Sequence, residues 1–117
     1  MIFVDTSAWF AKFVPDDVDH PRIEALLNTT DEILVTTDFC IDETLTLLAA
    51  RNELRRAIVA GRRFFNPQFT RIHFVTKQQF ERAWILFQQR AAAGWSFTDC
   101  TSKIVIDERG DRHGCGD

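Results

Sequence analysis

The sequence predicts an α/β domain, a parallel sheet flanked by helices, and three observations carry that expectation. Short apolar runs with strand character, at Ile2-Phe3-Val4, Ile33-Leu34-Val35 and the alternating Ile72, Phe74, Val75, are separated by longer stretches with apolar residues at helical spacing. Alternating strands and helices favour parallel pairing with right-handed crossovers, and place sites at the carboxyl ends of strands. A chain of 117 residues with 45% hydrophobic content fills one core and not two. The expected organisation is therefore one domain over residues 1–117.

The elements follow in order. The opening apolar run stops at Asp5-Thr6-Ser7, residues that start helices, and Ala8-Trp9-Phe10-Ala11 continue toward Pro15. After the polar break at Asp16, Asp17 and Asp19, Pro21 suits the first turn of a helix carrying Ile23, Leu26 and Leu27. Beyond Ile33-Leu34-Val35, Thr37 or Asp38 can cap a helix with Ile41, Leu45 and Leu48 on one face, and Glu43 rides on that helix. A further helix is expected over residues 55–65, closed by Asn66-Pro67, and then the strand at 72–75. Phe80, Ala83, Trp84, Phe87 and Ala91 form one continuous apolar stripe at i, i+3, i+4, i+7 and i+11, ending at Gly94. Ile104-Val105-Ile106 give the body of a last helix after Asp99, ended by Gly110. Residues 111–117 have only Cys115 as an apolar member and do not read as a core strand.

Composition narrows the function. Eleven Phe and three Trp with no Tyr bring bulk with few polar handles, which suits a core. Cys40, Cys100 and Cys115 are odd in number and widely spaced, which excludes a disulfide framework and a zinc-ligand pair. No apolar stretch reaches the roughly twenty residues of a membrane span, and the N-terminus lacks a basic export region, so a cytoplasmic location is expected. A net charge of −3 argues against general coating of nucleic acid. Charge is nonetheless uneven: between Arg51 and Arg71 six arginines face a single acid, Glu53, a local net of +5.

The carboxylates carry the chemistry. Mg²⁺ takes oxygen ligands and keeps several waters, so two or three converging acids suffice to hold it. Asp5 sits where a strand gives way to a helix, and Asp99 lies at the N-terminal turn of the last helix, places where the helix dipole favours negative charge. Both positions are equally those of ordinary helix caps, and Glu43, beside Ile41, is equally an ordinary solvated residue at the edge of an apolar face. Function requires that the three acids converge, which the chain order alone does not establish.

Ile2-Phe3-Val4-Asp5-Thr6-Ser7-Ala8-Trp9, Asp42-Glu43-Thr44 and Trp95-Ser96-Phe97-Thr98-Asp99-Cys100, in this order and spacing, resemble the signatures of the PIN-domain family, in its VapC-like toxin ribonuclease branch. The resemblance covers about residues 1–109. It implies a three-layer PIN-like fold and a Mg²⁺- or Mn²⁺-dependent endoribonuclease, the toxin of a type II toxin–antitoxin system, cleaving RNA by a metal-activated water and restrained by a cognate antitoxin protein. By position it implies Asp5, Glu43 and Asp99 as catalytic and metal-holding acids. Thr6 or Ser7 would support Asp5, and Thr101 would support Asp99, though helix capping explains these residues as well.

The sequence departs from the family at its end, where an apolar strand, a fourth acid and a closing helix are expected. Asp117 stands near the place of that acid, but residues 111–117 lack the strand pattern, so the terminal strand and helix are expected to be missing or altered. An uncovered sheet edge would then favour a homodimer. The alternative function is a catalytically impaired PIN-fold protein that binds an antitoxin or itself. An aspartyl-phosphate receiver or phosphatase fits less well, because Asp5-Thr6-Ser7 has neither an adjacent acid pair nor Asp-x-Asp spacing.

Weaker features have two readings each. Arg55 and Arg56 can contact RNA phosphates or an acidic antitoxin, or simply solvate a helix. Among Trp9, Trp84 and Trp95, all able to stack on bases, Trp84 is expected in the core, and only Trp95 lies near a site residue. His20, His73 and His113 lack ligand spacing, and His73 is expected to point outward. Cys100 reads as a small buried residue rather than a nucleophile.

Overall fold

The structure is a computed structural model that describes the backbone over residues 1–113 and side chains over residues 1–111. Four parallel strands form one sheet in the order β3-β2-β1-β4, with β1 (Ile2–Phe3), β2 (Leu34–Thr37), β3 (Thr70–His73) and β4 (Arg112–His113). The helices are α1 (Thr6–Phe13), α2 (His20–Asn28), α3 (Asp38–Ala50), α4 (Leu54–Phe64), α5 (Lys77–Arg90) and α6 (Phe97–Arg109), with a 3₁₀ turn at Ala91–Ala93.

Successive residues of a strand face opposite sides of a sheet, and the central strand shows the consequence. Ile2 and Val4 enter one core with Trp9, Phe10, Ile23, Leu48 and Phe64, whereas Phe3 enters a second with Val35, Cys40 and Val105. The expected α/β architecture, helices flanking a parallel sheet, is thus the observed one.

Local hydrogen bonding explains where the helices begin. Thr37, rather than Asp38, caps α3, its hydroxyl accepting from the Cys40 N–H at 3.0 Å. Asp38 instead accepts from the Val75 N–H at 3.0 Å, tying the exit of β3 to the start of α3. Thr76 with Gln79, and Ser96 with Asp99, form reciprocal capping boxes at the starts of α5 and α6. Gly110 ends α6 at φ 75°, a left-handed turn that glycine adopts without a side-chain clash.

The structure corrects several expectations. Arg112–His113 is a strand despite its composition, pairing in parallel with β1 at Ile2↔Arg112 and Phe3↔His113. Backbone groups make the ladder, so a polar pair can join it without an apolar pattern. Strand β1 therefore has neighbours on both sides. Asp117 lies outside the described residues.

The apolar stripe of α5 is not core. Ala83 is buried, but Trp84 is 54% and Phe80 47% exposed. Helix α5 packs chiefly on α6, leaving its other flank to solvent, and its aromatic rings lie along the seam: Phe80 meets Phe97 edge-on at 5.2 Å, and Phe87 meets Phe97 at 6.0 Å. A periodic stripe records that one flank is apolar, not how many neighbours cover it. His73 does not point freely outward, because its Nε2 lies 2.9 Å from Oε1 of buried Gln79.

Candidate active site

Parallel topology brings the acids to one end of the molecule. Helix α1 starts where β1 ends, α3 starts where β2 ends, and α6 leads back into β4, so all three helices begin at the carboxyl edge of the sheet. Asp5 is the N-cap of α1: its Oδ1 accepts from the Ala8 N–H at 3.2 Å and from the Ser7 hydroxyl at 3.0 Å. Asp99 is the third residue of α6, its Oδ2 accepting from the Ser96 N–H at 2.8 Å. Asp5 is thus a helix cap, and Asp99 is the reciprocal partner of one, Ser96. They nevertheless line the same cleft, a cavity of about 470 Å³ bounded also by Ser7, Trp95, Ser102, Lys103 and Ile106.

Glu43 is not in that lining. It is half-buried on α3, one turn beyond Cys40, whose Sγ lies 3.2 Å from the Ser102 hydroxyl of the cleft wall. Residues three apart share a helix face, so Glu43 belongs to the flank of α3 that meets α6. Among the described residues no three Asp, Glu, His or Cys side chains are grouped as a ready-made metal site. The donors bordering the cleft, two carboxylates with the hydroxyls of Ser7 and Ser102, are all oxygen. Such a set suits Mg²⁺, which is commonly held by one or two carboxylates and completes its shell with water and substrate phosphate.

The supporting residues divide. Ser7 does hold Asp5. Thr6 does not: its hydroxyl is buried and finds no partner among the described residues. Thr101 donates to the Thr98 carbonyl at 2.7 Å, a bond within its own helix turn, and so does not steady Asp99.

Sequence reasoning missed Ser102, Lys103 and Ile106, although the signal was present. Counted from Asp99 they fall at i+3, i+4 and i+7, one face of α6, so a single acid at the start of that helix defines the whole wall. Lys103 also pairs with Asp107 at 3.0 Å. Cys100 faces away into the core; burial first, and the nearby Asp99 charge second, push its thiol pKa up, which keeps it protonated and poorly nucleophilic.

Arg55 and Arg56 are elsewhere. They line a second cavity of about 380 Å³ with Lys12, Phe13, Glu24 and Arg63, on the side of α4 that faces α1 and α2. Within it Arg56 is engaged by Glu53 at 2.6 Å and by the Phe13 carbonyl at 3.2 Å. Lys12 binds Glu24 at 2.9 Å, a bond that holds the Glu24 carboxyl below its ordinary pKa.

A parallel sheet flanked by helices, with Asp5 and Asp99 lining one cleft at its carboxyl edge, agrees with what the resemblance to PIN-type nucleases implies. No protein-family model matches the chain. Individual proteins do. The chain is 33% identical over 110 residues to the 23S rRNA-specific endonuclease VapC20 of two Mycobacterium tuberculosis strains, covering 94% of this chain and 83% of the relative in each case. The crystal structure of Mycobacterium tuberculosis VapC20, described as a sarcin-ricin loop cleaving toxin, superimposes with a TM-score of 0.83 at 30% identity, over 95% of this chain and 85% of that one. The chain therefore belongs to the VapC-like toxin ribonucleases of the PIN-domain family.

Proposed function

We propose that this chain is a metal-dependent endoribonuclease, the toxin of a type II toxin–antitoxin pair, with Asp5, Asp99 and Glu43 as its acids and a loop of ribosomal RNA as its substrate. The observation that carries this reading is that Asp5 and Asp99, from opposite ends of the chain, face one cleft. Similarity to an rRNA-specific endonuclease supports the substrate class.

Asp5 and Asp99 would hold Mg²⁺ or Mn²⁺, with Glu43 approaching from α3. Such an ion, when bound, polarises a phosphodiester and lowers the pKa of a water molecule. The protein's own part is positional. Capping hydrogen bonds occupy Oδ1 of Asp5 and Oδ2 of Asp99, which fixes both carboxylates in direction before substrate arrives. Lys103, on the same wall, brings positive charge to a phosphate that the acids alone would repel.

The test is cleavage of a ribosomal RNA hairpin by the purified chain. Activity is expected with Mg²⁺ or Mn²⁺, to vanish in excess chelator and to return when the metal is restored. Metal binding without cleavage would favour the catalytically impaired interaction protein instead.

For the antitoxin, the basic cavity on α4 is the proposed contact, because Arg55 is exposed there beside Lys12 and Arg63 and can meet acidic side chains. Arg55→Glu with Arg56→Glu is expected to weaken antitoxin binding about tenfold or more, read by calorimetry, since reversed charges across an interface repel. Unchanged affinity for both antitoxin and RNA would remove these arginines from the interface.

A further inference from the structure

Trp95 borders the cleft and has no place in the chemistry described so far. Its surroundings hold it still. On one side Gly94 closes the α5 segment in a left-handed turn, its N–H donating to the Ala91 carbonyl at 2.9 Å; on the other, Ser96 opens α6 through the capping box that includes Asp99. Trp95 is the single residue between two capped helix ends, and its own N–H donates to the Arg90 carbonyl at 3.3 Å. The guanidinium of Arg90 lies over the indole, 4.8 Å from the ring centroid. The ring is thus half-buried, backed by a cation, and borders the same cleft as Asp99, four residues on.

The other tryptophans are placed differently. Trp9 is fully buried, and Trp84 lies exposed on α5 without bordering the cleft. Single-stranded and looped RNA is held largely by stacking unpaired bases on aromatic rings and guanidinium planes, with cations nearby for the phosphates. Trp95 with Arg90 supplies the first, and Lys103 on the same cleft supplies the second.

We propose that Trp95, backed by Arg90, stacks the unpaired base of a nucleotide adjoining the scissile phosphate, so that the enzyme selects RNA in which that base is extruded from a helix. The proposal rests on the ribonuclease reading and adds a substrate subsite to it. A tryptophan present merely to join two helices would also matter for folding, but it would not respond to the presence of one particular base.

The experiment is a double cycle. Trp95→Leu, Trp95→Phe and unmodified enzyme are compared on a ribosomal RNA hairpin and on hairpins carrying one abasic nucleotide at successive loop positions. On intact RNA, Trp95→Leu is expected to lose about tenfold to a hundredfold in kcat/KM, and Trp95→Phe about threefold. At one position beside the cleavage point the abasic hairpin should cost the unmodified enzyme a similar factor while leaving Trp95→Leu nearly indifferent, because the stacking partner is already gone. Equal abasic losses in unmodified enzyme and Trp95→Leu at every position overturn the proposal, as does full activity of Trp95→Leu.

Should Trp95→Leu fail to fold, Trp84→Phe protein, which keeps only buried Trp9 and Trp95, answers the same question by fluorescence. Intact hairpin must quench its emission and the abasic hairpin must not; emission unaffected by intact RNA overturns the stacking role. Failure of unmodified enzyme to cut any RNA sinks the ribonuclease reading itself, whereas normal cutting with the wrong base response sinks only the subsite.

Discussion

Asp5→Asn and Asp99→Asn are each expected to lower RNA cleavage about a thousandfold, equivalent to ~4 kcal/mol of transition-state stabilisation, while changing folding stability by less than about 1 kcal/mol. The separation of the two effects follows from the double duty of these residues. Each carboxylate takes part in capping a helix, Asp5 as the N-cap of α1 and Asp99 as the partner of Ser96 in the capping box of α6, and each borders the cleft. An asparagine amide oxygen still accepts the capping N–H, so the helix start survives, but the charge proposed to hold a cation is gone. Cleavage rates at saturating Mg²⁺ and urea unfolding on the same preparations read the two quantities. Undiminished cleavage by Asp5→Asn would sink the assignment of the site. Glu43→Gln is the natural companion, because α3 brings that residue toward the cleft without placing it in the wall; a loss comparable to the aspartates would make it a third member of the set.

Trp9→Ala is expected to destabilise the fold by about 3–5 kcal/mol, the usual range for removing a fully buried tryptophan. Its ring packs edge-on against Phe64 at 4.9 Å, so a cavity would open between α1 and α4. Polar loss adds to this. The Trp9 indole N–H donates to the Thr36 hydroxyl at 2.9 Å, and that hydroxyl donates to the Val4 carbonyl at 3.0 Å, all buried. This chain of bonds links α1, β2 and the residue immediately before Asp5. Chemical denaturation of Trp9→Ala and Trp9→Phe checks it: Trp9→Phe keeps most of the packing and should lose only about 1–3 kcal/mol, mainly from the unmade hydrogen bond. A Trp9→Ala loss below about 1 kcal/mol would show that the ring does not join these elements.

What was legible in the sequence is what depends on near neighbours. Ser96 and Asp99 satisfy one another across three residues, and Gly110 ends a helix through its own φ, so such boundaries show in any short window of the chain. Where the sequence misled, the missing information was spatial. The periodicity of α5 marks an apolar stripe, yet burial depends on whether a second element lies over it, and Trp84 is left in solvent. The Arg112–His113 strand has no signature in its side chains, because it pairs through backbone groups alone. Thr101 looked like a partner for Asp99, but the carbonyl of Thr98, one turn back in the same helix, is the acceptor it reaches.

By itself the amino-acid order determined the alternation of strands and helices, the helix starts, and the identity of the acids at those starts, because each is settled by hydrogen bonds and side-chain periodicity over a few residues. Only the tertiary structure decided that Asp5 and Asp99 share a cleft, that Glu43 stands outside its wall, and that Trp95 and Lys103 border it. Those placements depend on parallel strand pairing between segments remote in sequence, and the free energy of such pairing resides in contacts that no local window contains.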